Sequence, residues 1–264
     1  MLLKMKNSMV DRGKSMKALV TGASSGIGKE MSIYLHSLGY EVILVARSKQ
    51  KLEGIANRLK DRTKVIIADL SKEEECYKLY EEVKEENIDL LVNNAGFGVF
   101  GEFVNTSLEK ELDVIRVNDI APHILTKLFL KDFVSKDRGN ILNVCSSASF
   151  YSGPLMATYY ASKGYLYKLS QAIYEELRKM KSNVHITCLC PGPIATNFQE
   201  VADVKFNMKP LKAEYVAKKA IDGTLKNKRQ IILGNSMKIS RFFSRFIPDR
   251  TMLKIAYKAQ SRKR

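Results

Sequence analysis

A doubly wound α/β domain, with a parallel sheet of about seven strands and helices on both faces, is the fold the sequence predicts. Three observations carry this. Short apolar runs recur from Ala18 onward, longer segments of helical periodicity separate them, and the recognisable motifs fall at strand-to-helix junctions. With 264 residues, 45% hydrophobic and 27% charged, the chain can bury one sizeable core.

In chain order, a strand at Lys17–Thr21 leads to a helix near 27–38, which Gly39 closes as a left-handed terminal residue. A strand at Glu41–Ala46 precedes a helix near 49–60, and one at Lys64–Ala68 precedes a helix near 73–86. The run Asp89–Asn93 is followed by helical periodicity over 108–134, and Asn140–Cys145 by the same over 155–180. The strand His185–Cys190, a helix near 213–226 and a last strand at Gln230–Leu233 complete the pattern. No internal repeat and no Pro/Gly/Ser-rich linker divides it, so one domain is expected over 17–235. A flexible N-terminal extension is expected at 1–16 and a basic amphipathic helical tail at 236–264.

The net charge of +16 would suit a nucleic-acid partner if it were spread over the chain. It is not. Residues 1–17 contribute +4 and residues 226–264 contribute +11, leaving +1 for the body between them. Terminal charge without a recognition motif argues against nucleic acid and for contacts made by the ends. The four cysteines, Cys76, Cys145, Cys188 and Cys190, lack zinc spacing and disulfide-framework density, so neither metal nor disulfides are expected, and the setting is a reducing one. No apolar run approaches the roughly 18 residues of a membrane span, and the first 17 residues lack the apolar stretch of a secretory signal. A cytoplasmic location is expected.

The first junction reads Thr21-Gly22-Ala23-Ser24-Ser25-Gly26-Ile27-Gly28. Gly22 permits a tight turn, Gly26 lets backbone approach a diphosphate, and Gly28 lets helix and strand pack closely. The helix that starts there offers unpaired N–H groups to an anion. On the helix at 155–180, Tyr159 and Lys163 are four apart and share a face, where an ammonium can stabilise a phenolate and lower the tyrosine pKa. Tyr160, three residues from Lys163, is also its neighbour, so spacing leaves both tyrosines open.

The glycine spacing resembles the T-G-x-x-x-G-x-G fingerprint of the short-chain dehydrogenases/reductases, and the likeness continues down the chain. Asp69, with Leu70, follows the third strand; Asn93-Asn94-Ala95-Gly96 follows the fourth; Asn118 lies in Arg116-Val117-Asn118; and Pro191-Gly192-Pro193-Ile194-Ala195-Thr196 follows the sixth. The resemblance covers about residues 17–235 and implies a Rossmann-like fold that binds a nicotinamide dinucleotide and exchanges hydride between a carbonyl and an alcohol. It selects Tyr159, in Y-x-x-x-K, as the acid/base and leaves Tyr160 to packing. It assigns Ser146, with Ser147 as the alternative, to the substrate oxygen. Lys163 becomes the pKa tuner and a ribose contact, and Asn118 the anchor of a proton-relay water. Asp69 becomes the adenine contact, and the Pro191–Thr196 loop, with Ile194 and Thr196, borders the nicotinamide.

An acid at the end of the second strand would bind the ribose hydroxyls of NAD and repel a 2′-phosphate. The chain instead reads Val45-Ala46-Arg47-Ser48, with a guanidinium and a hydroxyl that suit the phosphate, so NADP(H) is expected. Lys29 and Lys49 add positive field nearby. His36, His123 and His185 form no triad with Ser146, and protonation by a tyrosine needs no metal.

Variable loops containing Phe97, Val99, Phe100, Phe150, Tyr151, Leu155, Met156 and Phe198 point to an apolar carbonyl substrate, with a lid expected at 197–212. In the tail, Ile239, Phe242, Phe243, Phe246 and Ile247 form a helical stripe, with Lys238, Arg241 and Arg245 on other faces. Pro248 interrupts it and Asp249 is positioned to cap a second helix. Packing on the body beside the cleft, peripheral attachment to a membrane, and a partner interface are the three roles open to it. Helices 108–134 and 155–180 resemble the pair through which relatives form dimers and tetramers, so a homo-oligomer is expected. The rival to an active reductase is a catalytically silent NADP-binding sensor or a membrane-associated scaffold, against which stand Ser146, Tyr159, Lys163 and Asn118 together.

Overall fold

The computed structural model describes residues 15–196, 198, 202 and 210–262. Residues 1–14 of the expected extension, most of the expected lid and the side chain of Arg245 lie outside these. Seven strands form one sheet: β1 Lys17–Thr21, β2 Glu41–Ala46, β3 Thr63–Ile67, β4 Leu90–Asn93, β5 Gly139–Val144, β6 Val184–Pro191 and β7 Gln230–Leu233. The sheet order is β3-β2-β1-β4-β5-β6-β7 and every pairing is parallel. The expected doubly wound, Rossmann-like architecture is therefore present, with strand ends shifted by a residue or so. Asp89, expected inside β4, precedes it and accepts a hydrogen bond from Lys17 N at 3.0 Å.

Helices α1 Gly26–Ser37, α2 Lys49–Leu59, α3 Glu73–Val83, α4 Leu108–Ile115, α5 Ala121–Ser135, α6 Ala157–Lys179 and α7 Ala213–Thr224 cover the sheet, followed by α8 Asn235–Phe243 and α9 Asp249–Ser261. The two-residue period of a strand divides the core. Ala18 and Val20, Val42 and Leu44, and Leu90 and Val92 point to the face covered by α1, α2 and α7. Leu19, Ile43, Val45 and Leu91 point to the opposite face, where Leu79, Phe129, Phe133 and Leu177 arrive from α3, α5 and α6. Because both faces are covered, β1, β2 and β4 read as continuous apolar runs rather than alternating ones. Each buried aliphatic side chain of this kind stabilises the fold by about 1.5–3 kcal/mol.

One expected helix is divided. The stretch 108–134 contains a π-helical turn at Arg116–Ile120 between α4 and α5. The extra residue in that turn swings Asn118 inward, where it is fully buried. Chain order reverses between β1 and β4, and the carboxyl ends of these two strands open onto the crevice in which an α/β sheet presents its ligand site.

The tail contacts the body, but with the opposite face to that expected from an aromatic stripe. Arg241 lies over the Phe150 ring at 4.3 Å and donates to Tyr167 OH at 2.8 Å, and Tyr151 OH and Ser240 Oγ are 2.9 Å apart. The Gln260 amide donates to Tyr160 OH. Ile239, Phe242, Phe243 and Phe246 stay exposed, because the guanidinium finds aromatic and hydrogen-bonding partners on the body that the apolar stripe does not. Asp249 opens α9 as its first residue, and Pro248 occupies the capping position.

Candidate active site

β1 ends at Thr21, whose hydroxyl organises the crevice. Thr21 Oγ1 donates to Val92 O at 3.3 Å and accepts from Asn94 N at 2.9 Å and Ala95 N at 3.1 Å. The Asn94 amide donates to Thr21 O at 2.9 Å and to Gly22 O at 3.2 Å, tying the glycine loop to the Asn93–Gly96 segment. Two glycines are required by this geometry. Gly22 has φ +64°, and a Cβ there would lie 2.8 Å from Ala95 Cα. A Cβ on Gly28 would lie 2.3 Å from Gly22 O, so only glycine lets α1 approach the loop this closely.

The crevice is a cavity of about 740 Å³. Of the residues expected to carry catalysis or contact the cofactor, Ser146, Tyr159, Lys163, Gly22, Ser24, Ser25, Gly26, Ile27, Arg47, Ser48, Asp69, Leu70, Asn94, Ala95, Gly96, Pro191, Gly192, Ile194 and Thr196 line it, while Gly28 and Asn118 stand one layer behind. At one end are Arg47, Ser48 and Lys51; Lys51 was not anticipated, whereas neither Lys29 nor Lys49 lines the cavity, and Lys49 sits 3.8 Å from Glu53. Both lysines lie in the first turn of α2, two residues apart and so on different sides of the helix, and what separates them is the rotation of the helix, which needs its register. Asp69, also on the wall, accepts from Ser71 N at 3.2 Å and Ser71 Oγ at 2.9 Å. Burial acts to raise its pKa, but these hydrogen bonds and the charge of Arg47 outweigh it and hold the carboxyl below its usual range.

At the other end Ser146, Tyr159 and Lys163 converge. Ser146 Oγ accepts from Ala148 N at 3.1 Å, while Ser149 Oγ accepts from Ser146 N at 3.2 Å, a reciprocal cap that holds the serine and leaves its O–H to donate. Buried Lys163 donates to Val144 O at 3.0 Å, and its Nζ is 6.0 Å from the Tyr159 ring centre. Burial lowers the Lys163 pKa, opposed by the neighbouring Cys145 and the carboxylate of Asp119. The expected lowering of the Tyr159 pKa by Lys163 is not what this geometry produces. Burial pushes the phenol up to about 12, and it is the Ser146 hydroxyl that pulls in the other direction.

Asn118 binds backbone rather than the cavity. Its amide donates to Phe97 O at 2.9 Å and to Ser162 Oγ at 2.9 Å, and its carbonyl accepts from Phe97 N at 3.1 Å. Phe97, Val99, Met156 and Phe198 line the cavity, and the Phe198 ring centre is 5.1 Å from that of Tyr159. Phe100 packs with them, and Leu155 holds a left-handed φ of +64° while its carbonyl accepts from Gly101 N at 2.8 Å. Phe150 and Tyr151, also expected at the substrate, instead anchor the tail. The three histidines lie elsewhere, and no cluster of three metal-ligating side chains occurs among the described residues.

The arrangement fits a dinucleotide. The cradle of Gly22 to Gly28 at the start of α1 suits a diphosphate, cations stand at one end of a long cavity, and a hydroxyl, a phenol and an ammonium stand at the other. With this geometry the comparisons with known proteins agree. Residues 16–205 match the family model described as short chain dehydrogenase. The chain is 37% identical over 186 residues, 68% of its length, to hydroxysteroid dehydrogenase-like protein 1 of Gallus gallus, of which this covers 56%. It is 32% identical over 208 residues, 75% of its length, to the very-long-chain 3-oxoacyl-CoA reductase of Anas platyrhynchos, of which this covers 66%. The chain thus spans little more than half the length of most of the curated relatives it matches. Among solved structures, a short-chain dehydrogenase from Sphingobium yanoikuyae in complex with NADPH superposes with TM-score 0.79 at 26% identity, covering 88% of this chain and 93% of that one. A Burkholderia phymatum short-chain dehydrogenase/reductase in complex with NAD gives TM-score 0.81 at 22% identity, covering 88% and 94%, and shares the fold. Together with the glycine cradle and the Tyr159–Lys163 helix, the match over residues 16–205 places this chain in the short-chain dehydrogenase family.

Proposed function

We propose that the protein is an NADPH-dependent oxidoreductase that interconverts an apolar carbonyl compound and its alcohol. The observation that carries this reading is the convergence of Tyr159, Ser146 and Lys163 at one end of a cavity whose other end holds Arg47, Ser48 and Lys51 and no acid from β2. The glycine loop and the start of α1 would hold the diphosphate, Arg47 and Lys51 the 2′-phosphate, Asp69 and Leu70 the adenosine, and Lys163 with the Pro191–Thr196 loop the nicotinamide riboside. The cofactor supplies the hydride to the carbonyl carbon. Ser146 donates a hydrogen bond to the carbonyl oxygen, and Tyr159 gives its proton to that oxygen as negative charge develops. A phenol held protonated at neutral pH suits the reducing direction.

Phe97, Val99, Met156 and Phe198 support an apolar substrate. So do the names of two relatives, one a very-long-chain 3-oxoacyl-CoA reductase and the other hydroxysteroid dehydrogenase-like. The NADPH in the Sphingobium yanoikuyae complex supports the cofactor choice. The reading includes a cytoplasmic location and self-association. Leu108 and Ile115 on α4 and Tyr165 on α6, 71%, 38% and 42% exposed, support an interface between copies. A concentration-independent monomer in sedimentation would remove that part.

The test is consumption of NADPH and NADH by the purified protein against long-chain ketones, aldehydes, steroids and 3-oxoacyl thioesters, with Tyr159→Phe alongside. Turnover with NADPH that disappears in the variant is the expected result. NADPH binding without turnover of any carbonyl would favour the silent-sensor alternative, and absence of NADPH binding would remove the cofactor assignment.

A further inference from the structure

The tail presents a surface that hydride transfer does not use. α8 meets the body through Ser240 and Arg241, with Met237 against Gly192, and α9 meets it through the buried Gln260. Outward on α8 and the turn after it stand four large apolar side chains: Ile239, Phe242, Phe243 and Phe246 are 57%, 57%, 58% and 73% exposed. Phe242 stacks edge-on with Phe243 at 5.4 Å and with Phe246 at 5.7 Å, so these side chains form one patch. Cations accompany it. Lys238, Arg250, Lys254 and Lys258 are exposed, and none of the four enters an ion pair among the described residues. Residues 236–264 carry nine Lys and Arg against Asp249 alone.

This charge decides the occupant. A second copy meeting the same surface would bring cation against cation, whereas an anionic bilayer offers headgroups to the lysines and a hydrocarbon edge to the rings. The two helices also adjoin the substrate end of the cavity, because Met237 of α8 rests on Gly192 and Gln260 of α9 bonds Tyr160, both of which line it. We propose that α8 and α9 form an interfacial anchor by which the protein lies on an anionic lipid bilayer, with the substrate end of its cavity beside the lipid. Anchoring stands on the surface alone. Passage of substrate from the bilayer into the cavity rests on the apolar-carbonyl reading given above.

The experiment uses the full chain with sucrose-loaded vesicles of equimolar phosphatidylglycerol and phosphatidylcholine, and with phosphatidylcholine alone. The comparison is the double variant Phe242→Ser/Phe246→Ser, at two exposed positions outside the cofactor and substrate site. Wild type is expected to sediment with anionic vesicles, with partitioning about tenfold weaker or less in the variant, on phosphatidylcholine and in high salt. Equal partitioning of wild type and variant, or none by either, would overturn the anchor. So would a lipid-free dimer in sedimentation velocity that the double substitution dissolves, since the face would then belong to a second copy. Turnover separates the two ideas. A vesicle-borne long-chain ketone should be reduced faster with anionic vesicles by wild type alone, while a water-soluble aldehyde should be reduced equally by both. Intact vesicle binding with no carbonyl turned over would retain the anchor and discard the carbonyl reading.

Discussion

Asn118 and Phe97 exchange a complete pair of hydrogen bonds, the asparagine carbonyl accepting from Phe97 N at 3.1 Å and its amide donating to Phe97 O at 2.9 Å. One side chain thereby takes the place of a neighbouring strand for the segment that follows β4. It does so because the π turn at Arg116–Ile120 turns it inward, and that segment carries Phe97 and Val99 into the cavity beside Tyr159. Replacing Asn118 with Ala leaves both backbone groups unpaired, at a cost of about 1–3 kcal/mol. The expected result is a lower melting temperature and a KM for carbonyl that rises more than the Kd for NADPH. A variant with unchanged melting and unchanged KM would show that the clamp contributes nothing.

Tyr159 and Tyr160 both reach the cavity wall, but only Tyr159 is partnered with Ser146, whereas Tyr160 OH is taken up by the Gln260 amide. Tyr159→Phe should lower kcat by about a hundred- to ten-thousandfold with NADPH binding retained. Tyr160→Phe should change kcat by less than about tenfold, while freeing one contact of the tail. If the two variants exchanged these effects in a stopped-flow assay, the acid would be Tyr160.

The pH profile follows from the Tyr159 pKa, which burial raises to about 12. Reduction uses the protonated phenol, so its kcat/KM should be flat between about pH 6 and 9 and fall only as pH nears 12. Oxidation uses the phenolate, so its rate should climb about tenfold per pH unit over the same interval. An oxidation rate that levels off near neutrality would mean that a group other than this phenol takes the proton.

Much of this was legible in the sequence, and the reasons are local. Strands such as β1 and β4 announce themselves because burial on both faces demands continuous apolar residues. Gly22 and Gly28 are marked because no other residue fits beside Ala95 and Gly22 O. What could not be read depends on register and competition between distant residues. Lys51 rather than Lys49 faces the cavity because of how α2 is rotated, and Lys29, on α1, does not line it. The π turn at Asn118 leaves the helical period of 108–134 almost undisturbed, and so has no periodic signature. The tail binds the body through Arg241 because Phe150, Tyr167 and Gln230 happen to converge there, and helical periodicity reported only that a stripe existed.

Arg47 is exposed at the end of β2 and contributes charge to the wall near Asp69. A charge-assisted pair with a phosphate is worth about 1.5–3 kcal/mol, so Arg47→Ala should weaken NADPH binding by about ten- to a hundredfold and leave NADH nearly unaffected. Lys51→Ala should do the same to a smaller degree, as a more flexible point charge. Titration calorimetry with both cofactors checks this. Equal losses for NADH and NADPH would place these cations elsewhere than at the 2′-phosphate.

Asp119, next to Asn118 in the π turn, has a buried Oδ1 without a hydrogen-bond partner among the described residues. Burial raises its pKa from 3.8 to about 6, against the pull of the Lys163 charge. The folded protein therefore keeps this proton to higher pH than the unfolded chain does. Between about pH 4 and pH 6 the folded state binds more protons, so stability falls as pH rises through that window, and the loss is complete above it. Discounted for partial exposure, two pKa units correspond to about 2 kcal/mol. Asp119→Asn removes the burden. Its melting temperature should match wild type near pH 4 and exceed it by about 5 °C at pH 7. Destabilisation at pH 7 would instead mean that the carboxylate supports the Lys163 ammonium by more than its own burial costs. In that case the same variant should also lower the pKa of Lys163 further and raise KM for the cofactor.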